Sequence, residues 1–382
     1  MQNGRANDWY DRRLEAQARS HDQTRAVLFL LRFALLFALA ALFWKAGWSR
    51  ALAEGLRNSL TFPFGWALRH MAFVALAVFG YEAILFPLSV LADYSFERAH
   101  DRSQDEFGDW LRGFLTTLLL EIVLVTGAFT ALYALMRLFP SVWWIWAAGG
   151  YALIVMGLGE WGPSHLLPLM RPPVNADESA ELLEQLRQIG REAGLEITGV
   201  AWWNFDHQDQ LEHISLNGMG RRRRVVFSEW AWKQLAPREQ LFLAARLMAW
   251  HRHHLSWAVQ ALQLALTALA LLGSAFIADS VARYVGLAGV ASPAAFPFWV
   301  TALFGCAALA GLFAHALVRR LELRADRFAL RHAGGPDALQ TLLQQEFSRQ
   351  PFAVSAPYWQ TLLLRRMPTP AQRLDHAARA NP

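Results

Sequence analysis

Glu322 and Asp326 stand four residues apart in LELRADRFAL, the stretch from Leu321 to Leu330. On a helix that spacing puts both carboxylates on one face, one turn apart, where they can supply a metal ligand with an orienting partner or grip a cation. A second set of donors, His251, His253 and His254, lies in ARLMAWHRHH from Ala245 to His254. His251 and His254 are three residues apart, so on a continuing helix they share a face, and with Glu322 as third ligand they could hold zinc and activate a water. Just upstream is Arg246, whose guanidinium donates five hydrogen bonds and accepts none. Cys306, the only cysteine, sits inside an apolar run, so an intrachain disulfide is impossible and thiolate ligation is not expected.

The elements that must position these groups are mostly apolar. The chain is 382 residues long, 54% hydrophobic and 18% charged, with 17 Trp, which is too apolar for a soluble domain of this length. Six stretches suffice to cross a bilayer: Ala26 to Trp44, Ala67 to Val90, Phe114 to Leu138, Val142 to Gly162, Trp257 to Ile277 and Phe296 to Val318. The fold class expected is mainly α, a polytopic membrane helix bundle of about six spans with a cytosolic α+β domain. Residues 1–25 are expected as a cytosolic N-terminal arm leading into a retained first span, since no small-residue cleavage site follows the apolar run. Residues 26–168 form a four-span block with a polar loop at 92–113, and residues 169–256 a cytosolic domain. A two-span block at 257–318 precedes a C-terminal cytosolic segment at 319–382. Arginines concentrate in the first, third and last of these segments, which the positive-inside rule places in the cytoplasm. They are too scattered for a nucleic-acid recognition module, so no nucleic-acid partner is expected.

Within the soluble segment, Leu182, Leu183, Leu186 and Ile189 mark one face of an amphipathic helix that Gly194 can end. Strand patterns follow at Glu196 to Trp203, His213 to Leu216 and Arg223 to Phe227, the last two joined by a Gly218-Met219-Gly220 turn. Ser228 is a good N-cap for a short helix from Glu229 to Leu235, and Pro237 suits the first turn of the helix that carries Arg246.

The order of these parts resembles the type I CAAX prenyl protease family, integral-membrane zinc metallopeptidases with a His-Glu-x-x-His motif. The similarity runs from about Phe64 to the C-terminus and rests on FPLSVLADYSFERAHDRSQDEFGDWLRG (Phe86 to Gly113), HLLPLMRPP (His165 to Pro173), SLNGMGRRRRVVFSEWAWKQLAPREQLFLAA (Ser215 to Ala245) and the Glu322/Asp326 helix. The resemblance implies a zincin-like cytosolic domain, proteolysis of membrane-associated peptides, and Glu322 as the third zinc ligand. Aligning Glu239 with the acidic residue that opens the family's motif helix puts Arg246 at the first His, Leu247 at the catalytic Glu and Trp250 at the second His. In MPTPAQR, Met367 stands where a transition-state donor is implied. Both ligands and the base are replaced, so Glu322 is expected to be a vestigial ligand.

The expectation that follows is a pseudoprotease, a membrane-embedded protein that binds extended peptides or membrane-protein partners without zinc hydrolysis and with no cofactor. The edge formed by His213, Ile214, Ser215 and Leu216 would accept a peptide as an added strand. Arg246 is expected to pair with Glu322 in place of zinc, with Asp326 as a second acid it could face, against the alternative that it snorkels to water while Glu322 pairs with Arg319 or Arg324. Two other readings stay open: an active metalloendopeptidase using zinc on His251, His254 and Glu322, and a structural or transport-like protein whose working part is an intramembrane chamber near Glu82 and Glu121. The plainer role for the histidines is an interfacial collar. The run Arg221 to Arg224 is expected as a solvated turn in preference to a lipid contact. The location expected is the inner membrane of a bacterium, with the N-terminus, zincin-like domain and C-terminus in the cytoplasm.

Overall fold

The computed structural model describes residues 9–61, 65–100, 102–161, 173–175, 180–203, 213–218, 220–284 and 289–380. Most of HLLPLMRPP and Met219 of the glycine turn lie outside them. The chain folds as two compact units, one comprising Gln23–Tyr151 and Leu264–Ala310, the other Met1–Asp22, Ala152–Gln263 and Gly311–Pro382.

The first unit is built on apolar helices. Among the described residues, five helical stretches are long and apolar enough to cross a membrane: Arg12–Lys45, Gly65–Ala99, Phe107–Leu138, Leu255–Ala278 and Pro293–His332. In their most apolar windows only 6% to 22% of residues are buried, so the hydrophobic side chains face outward, as lipid-facing spans require. The protein is an integral multi-pass membrane protein. The expected span at Val142 to Gly162 is a helix, Trp143–Trp161.

Two elements are more helical than the apolar pattern alone indicates. The helix α1 (Arg12–Lys45) begins well before the apolar run, because residues 12–25 are good helix formers and Glu15 pairs with Arg19 one turn on at 2.6 Å. The polar loop at 92–113 is mostly helical. After α2 (Trp48–Ser59) and α3 (Gly65–Ser89), the chain winds through a π-helical turn, Val90–Ser95, into α4 (Phe96–Ala99), and α5 (Phe107–Leu138) starts eight residues later. Tyr94 explains the continuity: it packs on Phe107 and Trp110 and accepts a hydrogen bond from Arg98, so aromatic contacts hold this polar stretch in order. The short helix α2, which the span pattern does not announce, lays Leu52 and Leu56 against a core centred on Phe73, Tyr133 and Trp299. The helix α6 (Trp143–Trp161) follows α5 after a short break at Pro140.

The second unit contains the sheet. The helix α7 (Ala180–Glu192) buries Leu182, Leu186 and Ile189 and ends where Gly194 turns left-handed at φ 75°. Its close seat on the sheet depends on Gly190, where an added Cβ would come within 2.6 Å of Ile197. Four strands, β1 (Val174–Asn175), β2 (Glu196–Trp203), β3 (Ile214–Asn217) and β4 (Arg222–Ser228), are ordered β1-β2-β4-β3, with β2 and β4 parallel and both outer pairs antiparallel. Among the described residues, β3 is therefore an edge.

Helices complete this unit. Ser228 caps α8 (Glu229–Gln234) by accepting from Ala231, and Pro237 opens α9 (Pro237–Arg252). The membrane helices α10 (Leu255–Tyr284) and α11 (Phe296–His332) begin and end respectively in this unit, followed by α12 (Gly335–Arg349), α13 (Tyr358–Leu363) and α14 (Pro370–Ala380). Their core gathers Leu186, Val225, Phe242, Met248, Ala325 and Leu342.

Candidate functional site

The helix α9 is anchored at its start by Gln240, buried in the first turns, whose Nε2 donates to the carbonyls of Ala231, Trp232 and Leu235 at 2.9 to 3.2 Å. That locks α9 to the end of α8 and so sets its rotation. Phe242, Ala245, Met248 and Ala249 turn into the core, and Arg246 lies at the border of this face with its side chain 21% exposed. On α11, Leu321, Ala325, Phe328 and Ala329 are buried at helical spacing and carry Glu322 and Asp326 inward with them, 4% and 0% exposed.

The structure brings Arg246, Glu322 and Asp326 together. Arg246 Nη2 donates to Glu322 Oε2 at 2.5 Å, and Arg246 Nε lies 3.1 Å from Asp326 Oδ1. A fourth residue completes the set. Arg373 Nε and Nη2 donate to the two Asp326 oxygens at 2.8 and 2.9 Å, a bidentate fork on a fully buried carboxylate. Arg373 is delivered there by a capping box: Thr369 and Gln372 bond each other's backbone N–H groups at 3.0 and 3.3 Å and start α14 in place. Arg373 is not among the residues that the sequence pattern singles out, although Thr369-Pro-Ala-Gln372 is a legible cap directly ahead of it.

Two guanidinium groups thus face two carboxylates in a nearly dry site, and the charges cancel. Burial alone would lower the Arg246 pKa. Asp326 and Glu322 outweigh it and raise the pKa above the usual arginine value, so Arg246 carries its charge at every physiological pH. Nothing in this set is a general base, because both carboxylates are held by guanidinium donors and arginine has no lone pair to offer.

Leu247 and Trp250 are half-buried and pack against the core. Neither offers a donor atom for a first-row metal, and Arg246 directs N–H groups, not lone pairs, at Glu322. The donor set at these positions therefore does not fit zinc. Met367 is 44% exposed.

The relocated histidine site is not assembled. The helix α9 ends at Arg252, His253 is its C-cap, and His254 turns left-handed at φ 50°, so His251 and His254 do not share a helix face. Among the described residues, no group of three or more His, Cys, Asp or Glu side chains could hold a metal ion.

The edge strand lies beside the arginine cluster through a shared acid. His213 Nε2 is 3.7 Å from Glu346 Oε1 on α12, and Glu346 also acts electrostatically on Arg246. The His213 ring packs on Trp230, with centroids 4.8 Å apart, and burial pushes its pKa down, partly offset by Glu346. Ser228 N donates to His213 O at 2.9 Å, so the register makes Ser215 and Asn217 the bonded partners of β4. By alternation Ile214 and Leu216 present their backbone groups to the open side. The basic run has other work: Arg222 pairs with Glu196 at 3.2 Å, Arg223 donates to the carbonyls of Gly218 and Gly220, and Arg224 to Val200 O at 3.0 Å. In the other unit, Glu82 and Glu121 line a cavity of about 640 Å3 together with Arg32, Tyr81 and mostly aliphatic and aromatic side chains.

Comparison with known proteins agrees with this layout. Residues 7–171 match the family model described as CAAX prenyl protease N-terminal, five membrane helices. The fold is that of a solved structure titled "Crystal Structure of S. mikatae Ste24p", with a TM-score of 0.76 at 14% identity, covering 97% of this chain and 90% of that one. No curated protein sequence matches.

Proposed function

We propose that this chain, a member of the CAAX prenyl protease family by its membrane block and its Ste24p-like fold, is a pseudoprotease: a membrane-embedded scaffold that binds extended peptides or membrane-protein partners without hydrolysing them. The observation that supports it is Arg246, a permanent cation that occupies the Glu322 carboxylate at 2.5 Å and approaches Asp326 at 3.1 Å, where the family resemblance implies a metal. A guanidinium can neutralise these acids, as zinc would, and so keep the fold. It cannot polarise a carbonyl or generate hydroxide. Arg246, Leu247 and Trp250 between them supply neither a ligand nor a base for metal-assisted hydrolysis.

Binding capacity does not depend on those residues. The open side of β3, with the Ile214 and Leu216 backbone groups outward, can add an extended peptide as a fifth strand, hydrogen bonds supplying affinity and alternate side chains specificity. The first unit's reading as a transport path finds less support, since its cavity is lined mostly by apolar side chains.

The test is metal content and peptide turnover of the purified full-length protein beside Glu322→Ala. The reading expects substoichiometric zinc in both proteins and no cleavage of a membrane-protein C-terminal peptide. About one zinc per chain, lost in Glu322→Ala and accompanied by cleavage, would overturn it. A fluorescent peptide of the same sequence should still bind, and Leu216→Pro, which removes an outward N–H from the edge, should weaken it.

A further inference from the structure

A second set of arginines on the same two helices is not used by the buried cluster. On α11, Arg324, Arg327 and Arg331 lie at helical spacing on the face turned away from Glu322 and Asp326, and all three are exposed. Across from them Arg252 ends α9. Its Nη1 donates to Glu192 O at 2.5 Å and its guanidinium sits 5.5 Å over the Phe328 ring, so the group is held and aimed. These residues line one open cleft of about 590 Å3, floored by Phe328.

Among the described residues, acidic side chains do not balance the charge in the cleft. Its one acid, Glu192, is engaged by His332, with Nε2 2.5 Å from Oε2, while His332 Nδ1 is tied to Phe328 O at 2.7 Å. Among the described residues, neither Arg324 nor Arg331 has an acidic partner. The adjacent His253 reports the same field, its pKa lowered by burial and then by Arg252 and Arg324. Four guanidinium groups around one cleft repel one another, and a bound anion relieves that repulsion.

Position narrows the anion to a lipid. Leu255, also in the cleft wall, is the first residue of a helix apolar enough to span a membrane, and on α11 Arg324, the nearest of the cleft arginines, lies six residues past the apolar run that ends at Val318. By chain continuity the cleft lies at the ends of two spans, the depth at which phospholipid headgroups sit. Arginine forks match phosphate oxygens bidentately, and the number of unbalanced guanidiniums suits a headgroup with more than one phosphate charge.

We propose that this cleft is a binding site for a phospholipid headgroup bearing two phosphates, held by Arg252, Arg324, Arg327 and Arg331. The proposal is independent of whether the chain cleaves peptides.

The test uses full-length protein in nanodiscs of neutral phosphatidylcholine, with a minor fraction of either a two-phosphate lipid (diphosphatidylglycerol) or a one-phosphate lipid (phosphatidylglycerol). Bound lipid is read by native mass spectrometry and by the thermal midpoint. The two-phosphate lipid should bind and raise the midpoint more than the one-phosphate lipid. Arg324→Gln/Arg331→Gln should lose about tenfold or more in that binding, while Arg221→Gln/Arg222→Gln does not. The midpoint of both variants in neutral lipid checks that they are folded. Equal loss in both variants, or no loss in the first, would overturn the site. Pyrophosphate in solution protecting as well as the lipid would overturn the lipid assignment in favour of a soluble ligand.

Discussion

Helices α9 and α11 carry arginines on two faces, and the two faces have opposite fates. On the inner face Arg246 meets Glu322 and Asp326, Arg373 closes on Asp326, and each carboxylate is held by a guanidinium. On the outer face Arg252, Arg324 and Arg331 surround an open cleft whose one acid is already engaged by a histidine. The difference is one of dielectric. An unpaired charge in the dry core costs several kcal/mol, so the core cannot keep an arginine without its acid. At a wet membrane boundary a lone arginine costs little, so an unbalanced cluster there is tolerated and remains available to a ligand.

The comparison can be broken most directly at Arg246. Arg246→Leu should destabilise the protein by about 3–5 kcal/mol, because it strands Glu322 and leaves Asp326 with one partner. The pair variant Arg246→Leu/Glu322→Leu should recover most of that loss. Denaturant unfolding of both would decide, and a wild-type midpoint in the single variant would mean that the inner face does not need its cation. A smaller loss is expected from Thr369→Ala, about 1 kcal/mol for one helix cap, read as a lower unfolding midpoint.

Weaker still is a pH effect at the edge strand. Burial holds the His213 pKa below its ordinary 6.5, so the unfolded chain takes up the proton first. The His213 contribution is therefore complete above that value and is lost as pH falls below it. His213→Phe should flatten that part of the stability profile, and an unchanged slope would refute it. The smallest effect belongs to the outer face: in neutral lipid, Arg324→Gln/Arg331→Gln should leave the unfolding midpoint within about 0.5 kcal/mol of wild type. A large loss there would show that the outer arginines are structural after all and would erase the contrast between the two faces.

How far each element could be read in the chain follows from how local its cause is. Ser228 as an N-cap, Pro237 at a helix start and Gly194 at a helix end each depend on a few neighbouring residues, and all three stand where the pattern put them. The same local reading missed α2 and did not register the polar start of α1, because a search for apolar runs detects neither an amphipathic helix nor a polar helical extension. It also joined His251 and His254 on one face. The helix stops at Arg252, and His254 turns left-handed two residues on.

Composition and spacing by themselves determined that this is a multi-pass membrane protein with a small α+β unit, and that Glu322 and Asp326 share a helix face. Those conclusions need only hydrophobicity and helical periodicity, which are properties of contiguous sequence. Tertiary structure decided the rest. That Arg373, 47 residues beyond Asp326, closes the buried cluster, and that Arg252 meets the arginines of α11 across one cleft, are facts of packing between distant segments. Helical periodicity specifies which way a residue points, and only the fold specifies what it points at.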